Sequence, residues 1–171
     1  AGYKVAAAGG SIVTAQLIKL QGQLNWTIVT VDSADAAIAA VKTGQVQAAI
    51  LVGGQPLGNV KALGSDFKLL GFKQSTVDLL KTVYVQDKLS YPKIANGAIN
   101  TIATEALLVT RTVNTPDRIN ALANFRSCVI RNIPEWQDAD GAHLAWAQVN
   151  PNNRGKWQWY DLPAVSSAGK K

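Results

Sequence analysis

Two hydrophobic periods alternate along the first part of the chain. Tyr3–Ala8 (YKVAAA) is a short apolar run that stops at Gly9–Gly10, and it reads as a strand. Ser11–Leu24 then carries Ile12, Val13, Ala15, Leu17, Ile18 and Leu20 at helical spacing, with Gly22 near its end. Trp26–Val31 (WTIVTV) is β-branched and aromatic, so a second strand is predicted. Ser33 is placed to cap a helix with Ala37, Ile38 and Val41 on one face, and Gly44 stands where that helix should stop. Gln47–Val52 (QAAILV) is nearly continuous in apolar residues, which suits a parallel strand covered on both faces. Gly53–Gly54–Gln55–Pro56 is a turn, with Pro56 suited to the first position of a short helix over Leu57–Leu63. Phe67–Phe72 (FKLLGF) predicts a fourth strand.

Strands and helices in strict alternation imply an α/β fold: an open, mostly parallel sheet with right-handed crossovers. Ligands of such sheets lie beyond the carboxyl ends of the strands. Here those ends are Gly9–Gly10–Ser11, Asp32–Ser33 and Gly53–Gly54–Gln55.

The second half follows another pattern. Leu80–Asp87 suits a strand or a short helix, and Ala98–Thr104 and Ala106–Arg111 suit strands on either side of Glu105. Thr115–Pro116–Asp117 opens a helix with a cap, a proline at the first position and an acid near the positive end of the dipole. Ile119, Leu122, Ala123, Phe125 and Val129 form its apolar face, and Pro134 is expected to end it. Gly141–Val149 suits another helix, Pro151–Asn152–Asn153 a turn, and Ser166–Lys171 a mobile tail.

Composition narrows the class. A hydrophobic fraction of 47% with only 16% charged residues belongs to a packed domain rather than a disordered chain. No apolar run is long enough to span a bilayer, and no signal-peptide pattern opens the sequence, so a soluble chain with any export signal removed is expected. The net charge of +6 raises nucleic acid as a partner. The basic residues are scattered singly, however, without the clustered footprint such binding needs, so no nucleic-acid partner is expected. Cys128 is the single cysteine and reads as a small buried hydrophobe in a helix. His143 is the single histidine and has no metal-ligand spacing around it. Glu105 lacks a second carboxylate for acid–base work and is expected to face solvent or pair with Arg111. Asp138 and Asp140 before Gly141 lack the rest of a calcium loop. No catalytic residue, metal or cofactor is therefore assigned.

Several motifs in order resemble a known family. Lys4–Val5, Gly9–Gly10–Ser11, a helix and a strand are followed by Ala36–Ala37–Ile38, Val41 and Gly44–Gln45–Val46–Gln47–Ala48. This order resembles the second lobe of type 2 periplasmic binding proteins. Gly53–Gly54–Gln55–Pro56–Leu57 looks like the turn of the TAXI branch, the solute receptors of TRAP transporters. Lys93–Gly97, Thr101–Ala103, Leu107–Val109 and Thr115–Asp117 resemble its return segment. The resemblance covers residues 3 to 149 and departs at Gln47, where the family usually has Asp. The family's N-terminal segment does not precede Ala1, so a fragment or a reduced relative is expected.

The resemblance implies a complete α/β lobe over residues 1–72, an incomplete return segment of the first lobe over 73–165, and a tail over 166–171. Hinges would fall at Lys73–Gln74–Ser75 and around Lys88–Pro92. The implied ligand residues are Gly9, Gly10, Ser11, Thr14, Gly54 and Gln55. The glycine loop would offer backbone N–H groups at a helix N-terminus to an anion, with Ser11 and Thr14 adding hydroxyls and Gln55 an amide. The expected function is periplasmic reception of a small organic anion or amino acid between two lobes, for delivery to membrane transporter subunits. The alternatives are the ligand-sensing domain of a LysR-type regulator, which needs a helix-turn-helix upstream, and an enzyme domain such as a deaminase, which needs paired titratable groups at the strand ends. Trp157 and Trp159, two apart, would share one face at strand spacing and pack on the lobe. Apolar surface left uncovered would favour self-association.

Overall fold

The computed structural model describes residues 2–164 and divides the chain into two compact units, one up to Ala106 and one from Leu107. The expected tail 166–171 lies outside the described residues. The chain is mixed α/β. Among the described residues, no helix is long and apolar enough to cross a membrane.

The first unit begins as the hydrophobic pattern requires. Strand β1 (Tyr3–Ala7) leads to helix α1 (Gly10–Gln21), β2 (Trp26–Thr30), α2 (Ala34–Lys42) and β3 (Ala48–Ile50). The three strands form one parallel sheet in the order β2-β1-β3, with Val5 aligned to Ile28 on one side and to Ala48 on the other. The chain steps from β1 to one neighbour, then crosses to the other. Alternation along β1 sends Ala6 to one face and Val5 and Ala7 to the opposite face. Ala6 packs with Ala37, Ala40 and Val46 in the core under α2. Val5, Ala7, Ala15 and Ile18 are buried, and α1 packs on the sheet. Ser33 caps α2 by accepting the Ala36 N–H at 3.0 Å, and Gly44 follows that helix at φ +74°, a conformation that favours glycine. Gln47 closes the start of the β1–β3 pairing. Its side-chain oxygen takes the Lys4 N–H at 2.8 Å, while its own N–H goes to the Lys4 carbonyl at 3.0 Å.

Beyond β3 several expectations change. Helix α3 (Gly58–Lys61) starts after Leu57, so Pro56 stands before the helix rather than at its first position. Phe67–Phe72 is not a strand. Leu69 and Phe72 donate to the carbonyls of Ile94 and Asn100, 2.9 and 3.0 Å away, but these isolated bonds build no ladder. Its apolar residues are used otherwise: Phe67 and Leu69 pack with Leu51, Leu57, Leu63 and Leu89 around buried Val60, Tyr91 and Ile94. Helix α4 (Gln74–Leu80) and the antiparallel pair β4 (Val85–Leu89) and β5 (Ile99–Ala103) complete the unit. Leu80 thus ends a helix, while Val85–Asp87 belongs to a strand. The expected break after residue 72 falls inside this unit, because the bonds from Leu69 and Phe72 and the Tyr91 cluster join both sides of it.

The second unit is built on one long helix, α5 (Pro116–Asp138). Ala106–Arg111 forms no strand. Thr115 occupies the N-cap position without a side-chain cap bond, and Pro116 and Asp117 stand in the first turn as expected. Pro134 does not end the helix. A proline here removes one internal hydrogen bond, to the carbonyl of Ile130. Buried Ile133 and the anchored turn that follows hold the helix on: Gln137 donates to the carbonyls of Trp146 and Val149, and Trp136 lies 4.9 Å from Trp146. The segment around Trp146 is a short 3-10 helix (Leu144–Gln148), shorter than the expected helix, with His143 Nδ1 accepting the Ala145 N–H at 3.2 Å. Cys128 is exposed on α5 rather than buried. Phe125, expected on the apolar face, is 50% exposed, whereas Ala123 and Ile133 are buried. Trp157 and Trp159 lie in irregular chain, so strand spacing does not relate them. The Trp159 indole donates to the Arg154 carbonyl at 2.8 Å, and the Arg154 guanidinium sits 5.4 Å from its ring centre.

Candidate functional site

The order β2-β1-β3 sets the carboxyl ends of β1 and β3 side by side. In open parallel sheets ligands lie beyond the carboxyl ends of the strands. Two glycine turns stand there. Gly9 and Gly10 follow β1 and are exposed, and Gly53 and Gly54 follow β3 and are exposed too. Gly9 holds φ +50° and ψ −128°, a conformation closed to ordinary side chains, and it turns the chain sharply from strand into α1. A Cβ on Gly9 or on Gly10 would meet nothing within 4 Å, so the backbone here is open to an approaching ligand.

The predicted hydroxyls serve the protein first. Ser11 is buried, and its Oγ accepts the Val52 N–H at 3.0 Å, which pins the loop after β1 to the end of β3. Thr14 is buried one turn further along α1, with its Oγ1 2.9 Å from the Tyr84 hydroxyl. This bond ties α1 to the segment between α4 and β4. Thr14 is thereby a brace of the loop's helix.

The backbone donors are fewer than the sequence suggests. The Ser11 N–H goes to the Ala8 carbonyl at 3.0 Å and the Ile12 N–H to the Gly9 carbonyl at 3.1 Å. The loop's candidate donors are therefore the N–H groups of Gly9 and Gly10, which take no partner in those turn bonds. Gln55 is half-buried, and its amide nitrogen reaches the Lys88 carbonyl at 3.5 Å, the outer limit of a hydrogen bond. So weak a bond leaves the amide able to turn to a ligand.

Two tyrosines escaped the sequence reading. Tyr91 is buried and its hydroxyl accepts the Leu57 N–H at 2.8 Å, which anchors the turn after Gln55. Tyr84 holds Thr14. The weak signal for both is their chemistry, an apolar body with one polar tip. Their partners lie 34 and 70 positions away in the chain, so no local pattern announces them. The structure thus brings Gly9, Gly10, Ser11, Gly54 and Gln55 to the carboxyl ends of β1 and β3, with Thr14 behind them. Glu105 and Asp32 are exposed, and among the described residues no group of His, Cys, Asp and Glu is arranged to hold a metal. No family model matches this chain, and neither a curated protein nor a solved structure matches it.

Proposed function

We propose that the chain is part of a solute receptor of the type 2 periplasmic-binding kind, of the TAXI branch, and that it binds a small carboxylate-bearing solute without chemical change. The observation that supports this most is the open glycine loop at the carboxyl end of the central strand β1. Gly9 and Gly10 present backbone N–H groups at the N-terminus of α1, where the helix dipole favours negative charge. The Ser11–Val52 bond fixes that loop against the end of β3, so the donors are held in place before a ligand arrives. Gln55 offers a neutral amide to the rest of the solute. In this reading the solute is held in the periplasm and passed to membrane transporter subunits, and residues 73–106 complete the binding unit instead of forming a separate lobe.

Titration calorimetry of the chain against a panel of small mono- and dicarboxylates and amino acids tests the reading. At least one acid is expected to bind, and Gln55→Ala is expected to weaken it about tenfold, the loss of one hydrogen bond to a charged group. Absence of heat with every member of the panel would count decisively against it.

A further inference from the structure

The outer edge of β2 is an open pairing surface. In a parallel pair, alternate residues of a strand turn both backbone groups to one neighbour and the residues between them turn both away. Val31 N–H donates to the Ala7 carbonyl at 3.1 Å, and on the far side of β1 the Gln47 N–H donates to the Lys4 carbonyl at 3.0 Å. These bonds set the phase: Thr27 and Val29 face β1, and Trp26, Ile28 and Thr30 turn their backbone groups outward. Among the described residues no strand lies beyond β2, and no partner takes these outward groups.

Folded proteins protect such edges with charge, proline, a bulge or a covering segment. Trp26–Thr30 (WTIVT) has neither charge nor proline, and it is β-branched or aromatic throughout. We propose that this edge pairs antiparallel with the same edge of a second copy of the chain, about a two-fold axis at Ile28. The strand complements itself in that arrangement. Ile28 meets the partner's Ile28, and Trp26 meets the partner's Thr30. Every outward residue thus faces an outward residue, and each such pair exchanges both its N–H and its C=O. A charge on this edge would stand near its own copy across the axis, and none is present. The Trp26 indole N–H is buried with no hydrogen-bond partner among the described residues. The pairing brings the exposed Thr30 hydroxyl of the second copy to that end of the strand. β2 lies on the side of β1 away from β3, so the pairing leaves the glycine turns after β1 and β3 uncovered and does not depend on what binds there.

Sedimentation velocity of the chain from about 1 to about 100 μM is expected to pass from monomer to dimer by mass action. Added salt should strengthen the dimer, because it screens the +6 charge on each copy. Thr30→Lys places a charge at an exposed edge position and should raise the dissociation constant at least about tenfold. Thr30→Pro removes an outward N–H that no intrachain bond uses and should act likewise. Amide exchange gives an independent signature: Thr27 and Val29 protected at every concentration, Ile28 and Thr30 protected only in the dimer. A monomer throughout would overturn the proposal. So would a dimer that Thr30→Lys leaves intact, or Ile28 exchange that ignores concentration. If Thr30→Pro unfolds the chain, the lysine variant and the exchange pattern decide.

Discussion

The two units hold themselves together by different means. The unit up to Ala106 buries Val5, Ala6, Ala7, Ile18, Val46, Val77 and Leu80 between sheet and helices. In the unit from Leu107, Ala123 and Ile133 are the apolar side chains that reach full burial among the described residues. Its chain is held mainly by side chains bonding to backbone: Arg126 of α5 to the Leu162 and Pro163 carbonyls, Gln137 of α5 to Trp146 and Val149, and, outside the helix, the Tyr160 hydroxyl to the Val113 carbonyl at 2.8 Å. The neutral bonds among these contribute roughly 0.5–1.5 kcal/mol each, less than a fully buried leucine or isoleucine does. The lesson is that a long, well-formed helix is no sign of a stable unit. Stability follows the apolar area it can cover.

That contrast can be broken by experiment. Limited trypsin digestion should cut first in the second unit, at Arg111, Arg154 or Lys156, because low burial means frequent local opening. Early loss of the first unit's core segments would reverse the comparison. Ile18→Ala and Leu80→Ala should each cost about 2–5 kcal/mol in urea unfolding, whereas Phe125→Ala on α5 should stay within about 0.5 kcal/mol. Equal effects would mean that burial does not set the difference. Gly9→Ala should cost about 1–3 kcal/mol from backbone strain alone, while Gly10→Ala, with open space at its Cβ and no positive φ, should be tolerated. Thermal melts of the two variants would separate loop conformation from loop composition. Ser33→Ala should cost about 1 kcal/mol, and Thr115→Ala only a few tenths, since only the first makes a cap bond. Thr14→Val should cost about 0.5–1.5 kcal/mol by stranding the Tyr84 hydroxyl.

How far the sequence could be followed varies along the chain for physical reasons. In residues 3–50 each element has its own period, set by residues within the element itself. The strands, both helices, the Ser33 cap and the glycine after α2 were legible there. After Val52 the local signal and the outcome part. Phe67–Phe72 has strand composition, yet its apolar side chains are taken by the cluster around Tyr91, and its backbone finds only isolated partners. Pro134 looks like a helix stop, yet packing around Ile133 and Trp136 outweighs one lost hydrogen bond. Cys128 looks like a core residue and sits on the exposed side of α5.

The candidate site divides the same way. Glycines at strand ends are visible in sequence, because only glycine tolerates the turn that Gly9 makes. That Ser11 and Thr14 spend their hydroxyls on Val52 and Tyr84 was invisible, since those partners come from 41 and 70 positions away. The sequence by itself determined the α/β alternation, the parallel sheet and the position of its glycine loops, through side-chain period and backbone freedom. Only the tertiary structure decided the order β2-β1-β3 and the reach of the first unit to Ala106. It also left β2 with an uncharged open edge. Each of those depends on contacts between distant segments, and no local pattern encodes them.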